Sequence, residues 1–294
     1  MLVPILYYIF IYPISRLPFP VLYFLSDVFY VLVFYLVPYR KKVVMQNLAR
    51  SFPQKSSSEI KQIAKKFYRH FCDITLESFK MFNITEAELR QRFIFNDMSL
   101  MQRLYAEGKS IVLAGGHYNN WEVFAVACHM GIPHKCLALY KPLSNKWFDK
   151  KMQASRGRFG LHMWSIHQAK EMFESEKNNV TISIFGMDQS PSNSNRCHWM
   201  RFLNQDTGVS FGAEKFARDY NLPVVYGRIN KLSRGHYSLD VQLLTDQPNA
   251  LQRGEIVESL MRLLEVDINH TPEYWLWTHR RWKRKKPDNV IIPS

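Results

Sequence analysis

From Phe19 to Val37 the chain reads FPVLYFLSDVFYVLVFYLV, about the length needed to cross a hydrocarbon core, with Asp27 as its only charge. The apolar stretch before it, Met1 to Pro13, is broken by Pro4 and Pro13. Its uncharged start, and the bulky aromatics where a signal peptidase needs small residues, argue against a cleaved leader. Tyr23, Tyr30, Tyr35 and Tyr39 suit an interfacial belt, and Arg40, Lys41 and Lys42 follow as on a cytoplasmic flank. Residues 1–42 are therefore expected to anchor the chain, either spanning the bilayer or lying in its interface. A buried core helix is the alternative, because an unpartnered Asp27 at mid-bilayer would cost roughly a few kcal/mol.

Beyond the anchor the periodicity changes twice. Between Ser58 and Phe79, apolar residues at Ile60, Ile63, Ala64, Phe67, Phe71, Ile74 and Leu76 follow helical spacing behind a serine-rich start that can cap a helix. A second helix is expected over about Glu86 to Ala106. Short apolar runs then appear at Ser110 to Ala114, Lys135 to Tyr140, Val180 to Phe185 and Pro223 to Ile229. Helix-like segments separate them, at about Trp121 to Met130, Asn145 to Phe159, His167 to Lys177 and Ser210 to Tyr220. This alternation predicts an α/β fold, a mostly parallel or mixed sheet with helices on both faces. His236 to Leu244 alternates as a further strand, antiparallel and at an edge, and a last helix runs over about Asn249 to Val266. No repeat or low-complexity linker divides residues 43–294, which are expected to form one catalytic domain with a basic tail.

Composition narrows the partners. Against 25 Asp and Glu stand 39 Lys and Arg, a formal charge of +14, which calls for an anionic partner such as a phospholipid surface, a phosphorylated substrate, an acidic carrier protein or nucleic acid. The four cysteines lie far apart without C-x-x-C spacing, so neither a disulfide framework nor a zinc knuckle is expected.

Candidate chemistry gathers at Ile111-Val112-Leu113-Ala114-Gly115-Gly116-His117-Tyr118-Asn119-Asn120-Trp121-Glu122. Two glycines at a strand end permit a sharp turn and a close backbone approach, and Asn120 can cap the following helix. His117 then sits at the carboxyl end of a strand, where open α/β sheets bind ligands. In one continuous helix His117 and Glu122 would lie roughly 140° apart around the axis. With His117 in the turn and Glu122 in the first helical turn, the carboxylate can reach back, fix the tautomer and leave the other nitrogen free to deprotonate an acceptor. The substrate hydroxyl would then be the nucleophile, and no protein serine or cysteine is acylated.

H-x4-E alone is a weak signal, but several blocks arrive together. Gly115-Gly116-His117-Tyr118-Asn119-Asn120-Trp121-Glu122, Leu139-Tyr140-Lys141-Pro142, Ser155-Arg156-Gly157-Arg158-Phe159-Gly160, Met187-Asp188-Gln189, Trp199 to Phe216, and Pro272 to Lys283 (PEYWLWTHRRWK) follow in order between about residues 20 and 286. The chain thereby resembles the bacterial lipid A biosynthesis acyltransferases, the late lauroyl and myristoyl transferases within the wider lysophospholipid acyltransferase group. The resemblance implies a glycerol-3-phosphate acyltransferase-like fold with no cofactor and no metal. It implies acyl-carrier protein or acyl-CoA as donor, and a lipid A precursor as acceptor in the bacterial inner membrane, with the catalytic domain on the cytoplasmic face. It makes His117 the general base and Glu122 its partner. Lys141, Arg156 and Arg158, with Tyr140 in the same block, would meet substrate phosphates. Asp188 and Gln189 would organise the acceptor or the histidine, and Gly208, Ser210 and Gly212 lead into a helix whose amino end suits a phosphate or the thioester oxyanion. Trp275, Trp277, Trp282 and His279 read as structural, and the Arg280 to Lys286 cluster as a contact for an anionic membrane surface or carrier.

Other readings stay open. The polar stretch Gln189 to Arg196 departs from the best-known members, so a lysophospholipid or an amino-acid lipid is an alternative acceptor. A metal-dependent hydrolase built on His117, Glu122, His129 or His134 lacks the usual ligand spacing. Nucleic acid is not expected as a partner, since no recognisable motif accompanies the charge. An inactive membrane scaffold is opposed only by the intact His and Glu.

Overall fold

Alternate residues of the central strand Ile111–Gly115 face opposite sides, and each side is buried under different helices. Val112 and Ala114 join Leu260, Met261 and Leu264 of the Glu255–His270 helix and Ala213 and Ala217 of the Gly212–Asp219 helix. Ile111 and Leu113 pack with Leu89, Leu104, Val123 and Phe124 on the other side. This computed structural model describes residues 2–288, 290 and 292. Its main sheet is built from β1 (Phe93–Phe95), β2 (Ile111–Gly115), β3 (Lys135–Tyr140), β4 (His162–Ser165), β5 (Thr181–Gly186), β8 (Val224–Ser233) and β9 (His236–Thr245). Their order is β1-β9-β8-β2-β5-β3-β4, parallel throughout except for β8 against β9. The expected α/β architecture, with a mostly parallel sheet between helices, is the one found.

Two local expectations are corrected, and one element is added that the sequence did not announce. The helix expected over Glu86 to Ala106 is split into Glu86–Arg92, strand β1 and Ser99–Ala106, because Phe93 and Phe95 are drawn onto the sheet beside Tyr237 and Leu239. β9 is antiparallel as expected, but β1 pairs along its outer side, so it is not an edge strand. Residues 198–209 form a separate hairpin of β6 (His198–Phe202) and β7 (Gln205–Val209). Its two turn residues, Leu203 and Asn204, both have positive φ, the mirror-image turn that suits hairpin twist.

The apolar amino-terminal helix, Phe19–Val31 continued by a wider turn over Leu32–Leu36, is long and apolar enough to cross a membrane by length and composition. It does not stand apart from the domain. Phe19, Leu22, Ser26, Tyr30, Val33 and Phe34 form a buried stripe, while Val21, Phe24, Val28, Val31, Leu32, Tyr35 and Leu36 are exposed on the other side. The buried stripe lies against Ser57–Lys80, a long helix opened by a capping box in which Ser56 and Glu59 satisfy each other's backbone donors. Polar groups join the two helices: Ser26 Oγ donates to Asp73 at 2.7 Å and the Tyr23 hydroxyl to Glu77 at 3.0 Å. Asp27 is partnered, since Arg234 from the β8–β9 turn forks across it at 2.7 and 3.2 Å while also holding Asp73. The ion pair removes the cost that an isolated carboxylate would carry in this helix.

Because one face of this helix is part of the core, deletion of residues 1–38 is expected to yield insoluble or non-cooperatively unfolding protein. A truncated chain that stays soluble without detergent and melts in one sharp transition would contradict the packing described.

Candidate active site

β2 and β5 are parallel neighbours in register, with Gly115 opposite Gly186, so residues two steps beyond each strand end arrive at the same level. Those residues are His117 and Asp188. His117 Nδ1 lies 2.6 Å from Asp188 Oδ1, and the His117 backbone N–H donates to Asp188 Oδ2 at 2.8 Å. Trp275 Nε1 donates to the same Oδ2 at 2.7 Å. Glycine makes the approach possible: a Cβ on Gly186 would come within 3.0 Å of the His117 ring, and one on Gly116 within 2.7 Å of Leu264 and 3.3 Å of Asp188.

The His117–Glu122 contact expected from spacing is not formed. Asn119 takes a left-handed turn (φ 55°), and Asn120 caps the helix Trp121–Ala127 by accepting from the Val123 N–H at 3.1 Å. Glu122 is instead gripped by Arg156, the last residue of the Lys146–Arg156 helix, whose Nη2 and Nε donate to its two oxygens at 2.6 and 3.0 Å. A guanidinium fork that fits a carboxylate in this bidentate way leaves little reason for Glu122 to turn towards the ring. Glu122 stays close enough for its charge to act on the imidazole.

Electrostatics follow from this arrangement. Burial works to lower the His117 pKa, but the charge and hydrogen bond of Asp188 outweigh it and Glu122 adds to them, so the value is raised. Burial works to raise that of Asp188, yet the imidazole and three hydrogen bonds hold it at about 2. The result is an imidazole whose Nδ1 is committed to a buried carboxylate. The histidine side chain is 22% exposed, and among the described residues Nε2 has the amide of Gln189 as its hydrogen-bond partner, at 3.2 Å. Among the described residues, no group of three or more His, Cys, Asp or Glu side chains gathers as a metal site.

Over residues 1–284 the sequence matches the profile of the bacterial lipid A biosynthesis acyltransferases. The chain belongs to that family. Two relatives are a protein of Escherichia coli (strain K12) named lipid A biosynthesis palmitoleoyltransferase and one of Shigella flexneri named lipid A biosynthesis acyltransferase. Each is 20% identical over 272 residues, 92% of this chain and 87% of the relative. The protein is accordingly an acyltransferase.

The carboxyl-terminal block of this acyltransferase clamps the His117 loop. Tyr118 bridges to Trp275, the Leu276 N–H donates to the His117 carbonyl at 3.2 Å, and the Asn119 N–H donates to that of Tyr274 at 2.9 Å. His279 accepts from the Ser190 N–H at 3.1 Å, and burial lowers its pKa to about 4, in keeping with a neutral structural ring. Arg281 corrects the reading of an exposed basic cluster. It is buried and donates to the Gly208 carbonyl of β7 at 2.7 Å, and burial brings its pKa down to about 10.

The remaining candidates scatter. Tyr140 ends β3 and donates to Asp149 at 3.1 Å, and Lys141 beyond it is exposed with no ion pair among the described residues. Arg158 donates to the Met81 carbonyl at 3.2 Å and covers the Phe159 ring, a packing arrangement. Gly208 lies within β7 and Ser210 in the exposed loop before the Gly212–Asp219 helix. Trp275 is the site residue that pattern alone did not reveal as one, since a tryptophan in an aromatic block looks like packing until its indole N–H is seen on Asp188.

A ring-proton NMR titration is expected to place the His117 pKa above the ordinary value of about 6.5, and Asp188→Asn to bring it down. An unchanged midpoint in that variant would show that Asp188 does not set the basicity of the ring.

Proposed function

We propose that the chain moves a fatty acyl group from a thioester donor, acyl-carrier protein or acyl-CoA, to a hydroxyl of a lipid acceptor, a lipid A precursor, at the cytoplasmic face of a bacterial inner membrane. Residues 1–42 would hold the protein there and residues 43–294 would carry the reaction on a sheet of the glycerol-3-phosphate acyltransferase type. The observation that supports this reading is the His117–Asp188 pair at the carboxyl end of two parallel strands, with Nε2 left to the Gln189 amide. Membership of an acyltransferase family supports an acceptor hydroxyl as what such a base would act on.

As the acceptor oxygen attacks the thioester carbonyl carbon, its proton passes to His117 Nε2, and Asp188 and Glu122 favour the imidazolium that results. When the tetrahedral intermediate collapses the carbon–sulfur bond breaks, and the imidazolium returns the proton to the thiolate, leaving an ester and a free thiol. Asp188 is a positioning residue in this scheme, as is Glu122, whose own place is secured by Arg156. Gln189 occupies the approach to Nε2, so the acceptor hydroxyl replaces its amide. Lys141, Ser210 and the amino end of the Gly212–Asp219 helix are proposed to contact the charged parts of donor and acceptor, whereas Tyr140, Arg158 and Gly208 act through packing.

With purified protein and a defined thioester donor, His117→Ala is expected to abolish transfer. Asp188→Asn and Glu122→Ala are each expected to lower the rate by roughly a hundredfold or more, and also to lower the melting temperature, since each removes one partner of a buried pair, so rates are compared at a temperature where each variant remains folded. Near-normal turnover by the His117 variant would refute the assignment. Mass spectrometry of lipids from cells with and without the gene then separates acceptors: loss of an acylated lysophospholipid or amino-acid lipid, with lipid A intact, would replace the proposed acceptor.

A further inference from the structure

A cavity of about 710 Å³ opens between the apolar amino-terminal helix and the β8–β9 turn, lined in part by Asp27, Tyr30, Arg69, Asp73, Lys231 and Arg234. This is within the size range of small-molecule sites. Its charges are unevenly committed. Arg234 takes both carboxylates, holding Asp73 through Nε and Nη2 and Asp27 through Nη1 and Nη2. The other two cations are less fully committed, Lys231 sharing Asp73 at a longer distance and Arg69 standing apart from both carboxylates. Lys231 Nζ is 3.9 Å from the nearest Asp73 oxygen and only 3.3 Å from His70 Nδ1, and its side chain is 13% exposed. The Arg69 guanidinium lies over the Tyr30 ring at 5.2 Å and has no ion pair among the described residues. Burial lowers the pKa of Lys231, as it does for a cation taken from water without full compensation.

The rim has a different character. Val31 and Leu232, both in the lining, are 48% and 55% exposed, and Val31 belongs to the same outward apolar stripe as Val28 and Leu32. An interior whose lining carries three cations to two carboxylates, entered past apolar side chains continuous with the outward apolar stripe, matches an amphiphile whose anionic end is small and whose tails remain outside. We propose that this cavity binds the phosphate head group of a bilayer lipid, with Lys231 and Arg69 as its cationic contacts and the acyl chains laid against Val31 and Leu232. The site needs no acyl transfer and is separate from the His117–Asp188 pair. It shares one wall with the His117 loop through Tyr274, whose ring lies 6.2 Å from that of Tyr118.

Binding of dihexanoyl phosphatidic acid to the full chain in a neutral detergent, corrected for its heat of mixing with protein-free detergent, tests this by calorimetry. Saturable one-site binding is expected, weakened about tenfold or more in the Arg69→Gln/Lys231→Gln variant, as loss of charge-assisted contacts implies. Lys170→Gln/Lys177→Gln, which removes the same charge from another surface, is expected to bind as wild type, as is His117→Ala. Lys231→Arg keeps the charge and is expected to retain binding. Arg69→Gln alone, at an exposed position, is expected to weaken binding even if the double variant proves unstable. Undiminished binding in Arg69→Gln, or equal loss in the Lys170/Lys177 control, would overturn the site. Inorganic phosphate binding as tightly as the lipid would overturn its assignment to a lipid head group.

Discussion

One buried carboxylate organises the site. Asp188 receives the imidazole, the His117 backbone N–H and the Trp275 indole, three bonds from two regions of the chain. A carboxylate taken out of water without such partners would cost several kcal/mol, so the cluster forms together or not at all. That requirement explains features that otherwise look unrelated: the glycines that clear space around the ring, the parallel register that brings two strand ends level, and the terminal segment that returns to the His117 loop.

The same logic governs the amino-terminal helix. Its sequence is long and apolar enough for a membrane segment, yet Asp27, Ser26 and Tyr23 face Arg234, Asp73 and Glu77, so the helix has a polar seam on the domain side and an apolar stripe on the other. Glu77 also receives the Asn120 amide and the Tyr237 hydroxyl. Asn120 in turn caps the helix that begins with Trp121 and Glu122. Only one buried side chain therefore stands between the apolar helix and the turn that sets Glu122.

Much of this was legible in the residues. β3 coincides with the apolar run Lys135 to Tyr140, and β2 and β5 match their runs to within one residue, because a short apolar run bounded by helical periods on both sides is the pattern of a strand buried on both faces. Short strands were not visible: three residues at Phe93–Phe95 cannot establish a period, and the β6–β7 turn uses Leu203-Asn204 where a glycine would have announced it. His117 is legible from its place after two glycines; spacing and the resemblance both point to Glu122 as its partner, while Asp188 is offered for the acceptor or the histidine without a choice between them. Asp188 and Arg156 could be sorted only by knowing that β2 neighbours β5 and that the Lys146–Arg156 helix ends beside Glu122. Adjacency across a parallel sheet is decided by crossover topology, and a single sequence does not carry it.

That Asp188, ahead of Glu122, sets the basicity of His117 is tested most directly by the pH dependence of kcat/KM for wild type, Asp188→Asn and Glu122→Gln. A base must be unprotonated to act, so a raised imidazole pKa puts the acid limb of the wild-type profile above about pH 6.5, with activity gained as pH rises through it. The residual activity of Asp188→Asn is predicted to have its limb displaced to lower pH, and that of Glu122→Gln to move less. A larger displacement in Glu122→Gln than in Asp188→Asn would contradict the assignment of Asp188 as the dominant partner.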